Sequence, residues 1–275
     1  MKNGILYSLI AVLAWAVFWW SGNQLQDQPR ISEEGLLRVR LPVPLQLAYA
    51  GSDPYLAANL NVFRSMMVDS TVTEQETYRV QAHLQQDAAL FNPYHEDNYY
   101  IASAILPWNG FVSETQDILQ RASLARTWDW MPPFLYAFDA WYFEKNMQTA
   151  GDWAEIAAER SGEVNAKALR AMAAKWYERG DDPQLAKDLI IALQQQTRDA
   201  DLRAQLQVRI DRLNGLLQLR AAQQAYLAEH QQAPSELEQL LGYAQLSALP
   251  EDPMQLGYTL DADGVPVLQQ PQHPR

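Results

Sequence analysis

A helix-hairpin pattern that recurs about every 34 residues is the strongest constraint on the fold of this chain. Small residues stand at Ala104, Ala140 and Ala174, at intervals of 36 and 34 residues, and each precedes a loop residue by six positions. Beyond each loop, the next predicted helix carries two apolar residues four positions apart. Those pairs are Ile118 and Ala122, Ala154 and Ala158, and Ala186 and Ile190. Because small residues let helices approach closely and the apolar pairs fill the contact, the pattern predicts stacked helix hairpins.

Capping residues and prolines divide this part of the chain into short helices. Asp53 before Pro54 is a typical N-cap with proline at the first helical position. Thr73 with Glu76, and Ser113 with Gln116, form predicted capping boxes. The short loops between the helices predict antiparallel neighbours. The predicted helices cover about 54–68, 73–89, 113–125, 133–145, 149–160, 164–179 and 183–196.

The pattern resembles the tetratricopeptide repeat (TPR) over roughly residues 54–196. Ala174, Tyr177, Ala186 and Ile190 stand at the spacing of that family's small, aromatic, small and bulky signature positions, and "ALFNPYHEDNYY" resembles its proline junction. The resemblance implies a curved array whose concave face, lined by the first helix of each hairpin, binds a peptide or a protein. By the resemblance, the partner-binding positions are Asn98, Ile105, Trp108, Phe134, Trp141, Glu144 and Lys175.

Residues 1–22 are predicted to form a membrane anchor. Lys2 precedes an uncharged apolar run at residues 5–20, and three tryptophans stand at the far end of that run. Sixteen helical residues span about 24 Å. The hydrocarbon core of a bilayer is about 30 Å thick, so flanking residues or a locally thinned bilayer would have to make up for the shorter helix. Because no basic residue follows Lys2 before Arg30, we expect a single-pass inner-membrane protein with a cytoplasmic N-terminus and a periplasmic body.

Two alternatives to an uncleaved anchor stay open. Ala14, Trp15 and Ala16 have the small-x-small form that a signal peptidase accepts, so cleavage after Ala16 is the first alternative. The second is a buried helix of a soluble protein. Both the anchor and the cleaved signal would place the body of the chain outside the cytoplasm.

The segments on either side of the repeats have different characters. Residues 23–52 are polar and aperiodic, and their two closely spaced prolines predict an extended tether. Residues 53–198 are the predicted repeats. Residues 199–247 carry a leucine-rich stripe that predicts capping helices, with Gly215 as a candidate kink.

Residues 248–275 predict a small β-hairpin, because apolar residues alternate on both sides of a "DADG" turn. The predicted fold class is therefore all-α: a TPR-like antiparallel helix-hairpin solenoid with an N-terminal transmembrane helix and a small C-terminal β-hairpin.

Residues 127–143, "TWDWMPPFLYAFDAWYF", hold eight aromatic rings in seventeen positions. Phe134, Phe138 and Trp141 share one helical face, whereas Tyr136 and Phe143 lie on another. A helix that is apolar on two faces is typical of an inner element with neighbours on both sides. Core packing is the interpretation that we favour, and a carbohydrate platform or a membrane contact are the alternatives.

Charge and composition argue against several kinds of function. The net charge is −12 and no cluster of Lys and Arg stands in the chain, which argues against nucleic-acid binding. The absence of cysteine removes disulfides, thiolate metal ligands and a cysteine nucleophile. No histidines stand three or four residues apart, and no phosphate-binding loop or nucleophile elbow occurs. We therefore expect no metal, no cofactor and no enzymatic activity.

The expected function is that of a membrane-anchored periplasmic scaffold or assembly factor. Its partner would be a protein or peptide of a bacterial envelope machine for pilus assembly, secretion or polysaccharide export, and the membrane would be engaged through residues 5–20. The alternative is an envelope carbohydrate-binding or polysaccharide-processing protein that uses the aromatic segment.

Overall fold

The computed structural model describes residues 2–26, 40–67 and 75–270. These described residues form eleven α-helices and one two-stranded antiparallel sheet. The helices are α1 (Lys2–Gln26), α2 (Val43–Tyr49), α3 (Pro54–Met66), α4 (Gln75–Phe91), α5 (Glu96–Ile105), α6 (Val112–Ala125), α7 (Met131–Tyr142), α8 (Met147–Arg160), α9 (Glu163–Glu178), α10 (Pro183–Gln196) and α11 (Ala200–His230). The strands are β1 (Tyr258–Leu260) and β2 (Pro266–Leu268), and short 3₁₀ helices span Pro107–Asn109, Leu237–Leu240 and Tyr243–Gln245.

From α3 onward, consecutive helices pack as hairpins. The pairs are α3 with α4, α5 with α6, α7 with α8, and α9 with α10, and α11 then covers α9 and α10. One apolar core joins α4, α5 and α6, and a larger one runs from α7 to α11. The prediction of a mostly helical, hairpin-built body with a small C-terminal sheet is confirmed.

The recurring small and apolar positions lie in the core, with one exception. Ala140 and Ala174 are fully buried, and so are the apolar pairs of the second helices. Ala104, however, is exposed, and Ala102 is the fully buried alanine of α5. The reason is the 3₁₀ turn at Pro107–Asn109, which lengthens the link between α5 and α6 and shifts the buried position by two residues.

The helix ends show which capping predictions are correct. The Asp53 side chain accepts hydrogen bonds from the backbone N–H of Tyr55 and Leu56, so the predicted cap of α3 is confirmed. The predicted cap at Ser113 is wrong, because Ser113 lies inside α6 and Phe111 occupies the N-cap position without a side-chain bond. Thr73 lies outside the described residues.

The region assigned to an extended tether is partly helical. Residues 23–26 continue α1, and residues 43–49 form α2, which has Pro42 as its N-cap and Pro44 in its first turn. The prolines therefore start a helix here, in keeping with their fixed φ angle and the missing N–H that a first turn does not need. Residues 27–39 lie outside the described part.

Helix α1 is apolar and uncovered. Its side chains from Ile10 to Trp20 are exposed. Across the residues that the structure describes, no helix combines the length and the apolarity needed to cross a membrane. The transmembrane helix predicted at residues 5–20 is therefore not supported by the structure.

A buried ion network holds the C-terminal hairpin against the helices. Arg212 of α11 donates to Glu178 of α9 at 3.0 Å, to Asp252 at 3.0 Å and to the carbonyl of Gln269 at 2.7 Å. Glu178 also pairs with Arg209. One guanidinium thus links α9, α11 and the segments on both sides of the hairpin, whose strands pair in the register Tyr258 with Leu268.

Gly215 allows the hairpin to approach α11 closely. A Cβ atom at this position would overlap the hydroxyl of Tyr258 and would lie 3.1 Å from Pro250. The Tyr258 hydroxyl donates to the carbonyl of Arg212 at 3.0 Å. Helix α11 is continuous through Gly215. The glycine is therefore a close-contact position and not the kink that the sequence suggested.

Candidate partner-binding surface

Six aromatic side chains form a continuous surface along the first helices of three consecutive hairpins. Trp108 belongs to the 3₁₀ turn that follows α5, four rings come from the last turn of α7 and the residue after it, and one comes from α9. We call this set the aromatic band: Trp108, Phe138, Trp141, Tyr142, Phe143 and Trp176.

Each ring of the aromatic band lies within van der Waals reach of the next. The Trp108 ring centroid lies 5.3 Å from that of Tyr142, and Tyr142 stacks on Phe138 at 5.5 Å with an interplanar angle of 7°. Trp141 stacks on Trp176 at 5.8 Å. Aromatic pairs attract at such separations, so the rings fix one another in position.

Exposure varies along the aromatic band. Trp176 is buried in the larger core, whereas Trp108 keeps 56% and Tyr142 keeps 39% of its surface exposed. Phe138, Trp141 and Phe143 are half-buried. The band therefore has a rigid, core-anchored side and an open side, and the open side offers apolar area that a partner would cover.

Charged side chains border the open side. The Lys145 ammonium lies 5.0 Å from the ring centroid of Tyr142, a cation–π arrangement. Lys145 has a φ of +59°, a conformation in which glycine is the usual residue. Gly110 has a positive φ in the turn between α5 and α6. Glu144 accepts a hydrogen bond from the Gln116 side chain at 2.8 Å.

Asp139 is a buried acid beneath this surface. It is 2% exposed, and its Oδ2 atom has no hydrogen-bond partner. Burial, and then the charge of Glu144, raises the pKa of Asp139 to about 7. Burial also raises the pKa of Tyr136, with smaller contributions from Glu144 and Asp139. The carboxyl group therefore gains a proton close to neutral pH, far above its usual range.

A second, smaller aromatic surface lies at the opposite ends of α5 and α7. Tyr94 and Trp128 stack at 6.1 Å with an interplanar angle of 14°, and both are exposed. Arg126 lies 5.6 Å from the Trp128 ring and pairs with Glu96 and Asp129. This ion network fixes the loop that presents the Trp128 ring.

Four of the seven predicted site residues lie in or beside the aromatic band. Trp108 and Trp141 belong to it, Glu144 follows it directly, and the exposed Lys175 precedes Trp176 in α9. Ile105 is half-buried at the C-terminal end of α5.

The last two of the seven predicted site residues, Phe134 and Asn98, lie away from the aromatic band. Phe134 packs with Trp130 against the small core between α8 and α9. Asn98 is buried and donates to the carbonyl of Gln85 at 2.9 Å, so it joins α5 to α4 and is not an accessible contact.

Sequence reasoning did not select Tyr142, the second most exposed ring of the band. The signal was present, because Tyr142 follows Phe138 by four residues and therefore shares its helical face. The stacking of Trp141 on Trp176 had no such signal, since it depends on how α7 packs beside α9.

Of the eight rings in residues 127–143, Trp128 and Tyr142 are exposed and the other six are half-buried. Tyr136, for example, stacks on Trp153 at 4.0 Å. Core packing therefore accounts for most of this segment, as the two apolar faces predicted.

Comparison of the chain with protein-family models, with curated proteins and with solved structures gives no match. In the described part of the chain, no group of three or more His, Cys, Asp or Glu could hold a metal ion.

Proposed function

We propose that the chain is a membrane-anchored periplasmic scaffold whose TPR-like array binds a protein or peptide partner at the aromatic band. The observation that carries the proposal is the open side of the band, where Trp108 and Tyr142 present rigid aromatic area. Tryptophan and tyrosine are the residues that most often dominate protein interfaces, because they bury large area at a low entropic cost.

The conformation of Lys145 supports a role for this surface. A lysine with positive φ costs stability that a glycine would not, and such residues cluster at functional sites. Here the backbone conformation places the ammonium group over Tyr142. A partner segment with an apolar or aromatic side chain next to a carboxylate would match the ring and the ammonium together.

The proposed anchor is α1. An apolar helix with exposed side chains all along residues 10–20 is stable only where lipid or protein covers it. Lys2 before the apolar run, with no further basic residue until Arg30, favours a cytoplasmic N-terminus, and the tryptophans at the end of the run favour a membrane interface there. A reporter fused to the C-terminus, of a kind that is active only in the periplasm, is expected to be active. Activity of a cytoplasm-specific reporter instead would rule out this orientation.

Affinity capture of the full chain from detergent-solubilised membranes tests the partner-binding surface. We expect Trp108→Ala to lose a partner that the unmodified chain retains, without loss of helicity, because the ring is largely exposed. Leu124→Ala is the matched control, since Leu124 is an exposed apolar residue on α6, the second helix of its hairpin. Equal recovery of the partner with both variants would exclude the aromatic band.

Carbohydrate binding is the second candidate function, and the Tyr94–Trp128 pair favours it. Two exposed, nearly parallel rings offer a flat platform of the kind on which a sugar ring stacks. Titration of tryptophan fluorescence with envelope glycans is the test. A saturable change that Trp128→Ala abolishes would support this candidate, and an unchanged spectrum would dismiss it.

A further inference from the structure

A broad apolar groove lies at the N-terminal end of the helical array. Its walls come from α2, α3, Leu41 shortly before α2 and Met67 after α3, and it has a volume of about 520 Å³. This volume is in the range of about 300–1,000 Å³ that is common for binding pockets. We call it the N-terminal groove, and its apolar lining residues are Leu41, Tyr49, Ala57, Leu60, Phe63 and Met67.

The polar floor of the groove is already satisfied by the protein. The Gln46 side chain donates to Asp87 at 2.7 Å and to the carbonyl of Leu41 at 2.6 Å. Asn61 donates to the Gln46 side-chain oxygen at 2.6 Å. Because these groups have partners inside the protein, an apolar occupant would not deprive them of hydrogen bonds.

The apolar surface continues beyond the groove. The two helices that form the groove expose three more apolar side chains, Leu45, Tyr55 and Met66, which we call its rim, and Tyr49 and Phe63 in its walls are exposed as well. Contiguous apolar surfaces of this kind mark contacts with proteins, ligands or membranes.

The two ends of the helical array differ in how well their apolar surface is covered. Helical arrays need polar caps at their ends to stay soluble. At the C-terminal end, α11 and the hairpin cover the last pair of helices. At the N-terminal end, no element among the described residues caps the groove and its rim in this way.

Charge distinguishes this face from the rest of the molecule. Residues 40–67 contain one acid, Asp53, and two bases, Arg40 and Arg64, whereas the whole chain has a net charge of −12. The segment contributes +1 and the remainder −13, but Arg40 pairs with Asp87 at 2.9 Å, so this face together with Asp87 is close to neutral. A lipid surface with anionic headgroups repels the acidic remainder but not this face.

Chain connectivity keeps the face near α1. Fourteen residue steps separate Gln26 from Arg40, which at full extension allow at most about 50 Å. If α1 is in a bilayer, as in the proposed function, the groove is held within reach of the same bilayer. The exposed Tyr49 and Tyr55 are of a type enriched at membrane interfaces.

We propose that the N-terminal groove and its rim lie in the interfacial layer of the membrane that holds α1, with lipid acyl chains in the groove. This proposal rests on the anchor of the proposed function. It assigns a second lipid contact, on the folded array itself, that would orient the aromatic band relative to the membrane surface.

The absence of cysteine allows a site-specific test on the full chain. Single cysteines introduced by Met66→Cys, Val12→Cys or Val164→Cys would carry a nitrobenzoxadiazole label in phosphatidylcholine vesicles, with and without nitroxide-bearing lipids. Met66 is exposed and directly precedes Met67, which lines the groove, and Val12 is exposed in α1. Val164 on α9 is the matched control, because it is 83% exposed and far along the chain from the groove.

We expect the lipid nitroxides to quench the label at 66 several-fold more than the label at 164. Adding Phe63→Asp to the Met66→Cys chain is expected to reduce that quenching, since a charge on the groove wall opposes lipid contact. Equal quenching at 66 and 164 would overturn the proposal. So would a label at 66 that responds only when another membrane protein is added, because a protein would then be the occupant.

The label at 12 separates this inference from the anchor. Quenching of the label at position 12 without quenching at position 66 overturns the groove contact but supports the anchor. Quenching at 66 without quenching at 12 supports the groove contact and rules out the anchor. Absence of quenching at both positions overturns both.

Discussion

At the scale of single residues, two buried carboxyl groups link the stability of the fold to pH. Asp139 in α7 has a pKa raised to about 7 by burial and by Glu144. Glu155 in α8 has a pKa of about 7, again because of burial, although Arg170 at 4.0 Å acts in the opposite direction. Both groups bind a proton more tightly in the folded than in the unfolded state.

We predict that Asp139→Asn reduces the loss of stability with rising pH. The pKa of Asp139 is about 7 in the folded chain against an ordinary value of 3.8, so the free energy of unfolding falls as the pH rises between these two values. This shift of the Asp139 pKa corresponds to a loss of at most about 4 kcal/mol in the free energy of unfolding once the pH is above the folded-state pKa. Urea denaturation at about pH 5 and pH 8 measures the difference.

Glu155→Gln serves as the parallel variant, because it removes the other buried carboxyl group whose pKa is raised. Each variant is expected to remove part of the pH dependence, and the two together most of it. A pH dependence that Asp139→Asn leaves unchanged would contradict the assignment.

A second prediction at this scale concerns Gly215. We expect Gly215→Ala to destabilise the fold by about 1–3 kcal/mol, as overpacking of a close contact does. The added methyl group would overlap the Tyr258 hydroxyl. In a Tyr258→Phe background the nearest ring atom, Cζ, would be 3.0 Å away, so the penalty should be smaller. Urea denaturation of the four chains measures this coupling, and an equal penalty in both backgrounds would refute the explanation.

Local residue patterns predicted helix positions better than they predicted side-chain roles. The buried Ala140 and Ala174 followed from spacing alone, whereas Ala104 did not, because the 3₁₀ turn after α5 changes the phase. The burial of Asn98 depends on an acceptor carbonyl in α4, thirteen residues away. No pattern within one helix reports such a contact.

At the scale of elements, the hairpin of β1 and β2 depends on α11 for its attachment. Arg212 connects both through hydrogen bonds to Asp252 and to the carbonyl of Gln269. Arg220, two turns further along α11, donates to the carbonyl of Pro266 at 3.1 Å. These bonds hold a two-stranded sheet that would be marginal alone.

We predict that Arg212→Met releases the hairpin. The substitution would leave Asp252 buried without a cationic partner and would remove one of the two cations that Glu178 binds, a change that typically costs about 3–5 kcal/mol. Amide hydrogen exchange of β1 and β2 is expected to accelerate. Arg209→Met is the matched control, since Arg209 pairs with Glu178 and makes no bond to the hairpin. Equal acceleration in both variants would argue against this attachment.

In the C-terminal region, the sequence predicted the two strands but neither the 3₁₀ turns nor the attachment of the hairpin to α11. The alternating residues around "DADG" predicted the two strands, and both formed. Residues 199–247 were predicted to form capping helices, but after α11 this region contains only two 3₁₀ turns, Leu237–Leu240 and Tyr243–Gln245. Arg212 gave no signal as the attachment point, because Asp252 and Gln269 reach it only once the chain has folded back along α11.

At the scale of the whole molecule, the helical body contains two main apolar cores joined in series. Leu119 belongs to the core of α4, α5 and α6, and Leu213 belongs to the core that runs from α7 to α11. In arrays of this kind each unit contacts its neighbours, so stability is distributed along the chain.

We predict that Leu119→Ala and Leu213→Ala destabilise different parts of the array. Both residues are fully buried, and each truncation is expected to cost about 2–5 kcal/mol. Hydrogen exchange should accelerate mainly in α4–α6 for the first variant and mainly in α9–α11 for the second. A uniform acceleration along the whole body in either variant would indicate one cooperative unit instead.

The Arg212 network also has a consequence for biosynthesis. Arg212 precedes Asp252 by 40 residues, so the arginine is synthesised before its second carboxylate partner. Until then the helical body carries a cationic site that only Glu178 of α9 partly neutralises. A nascent chain would therefore gain the final stability of its C-terminal half in a late step, when the hairpin packs against α11 and Asp252 reaches Arg212.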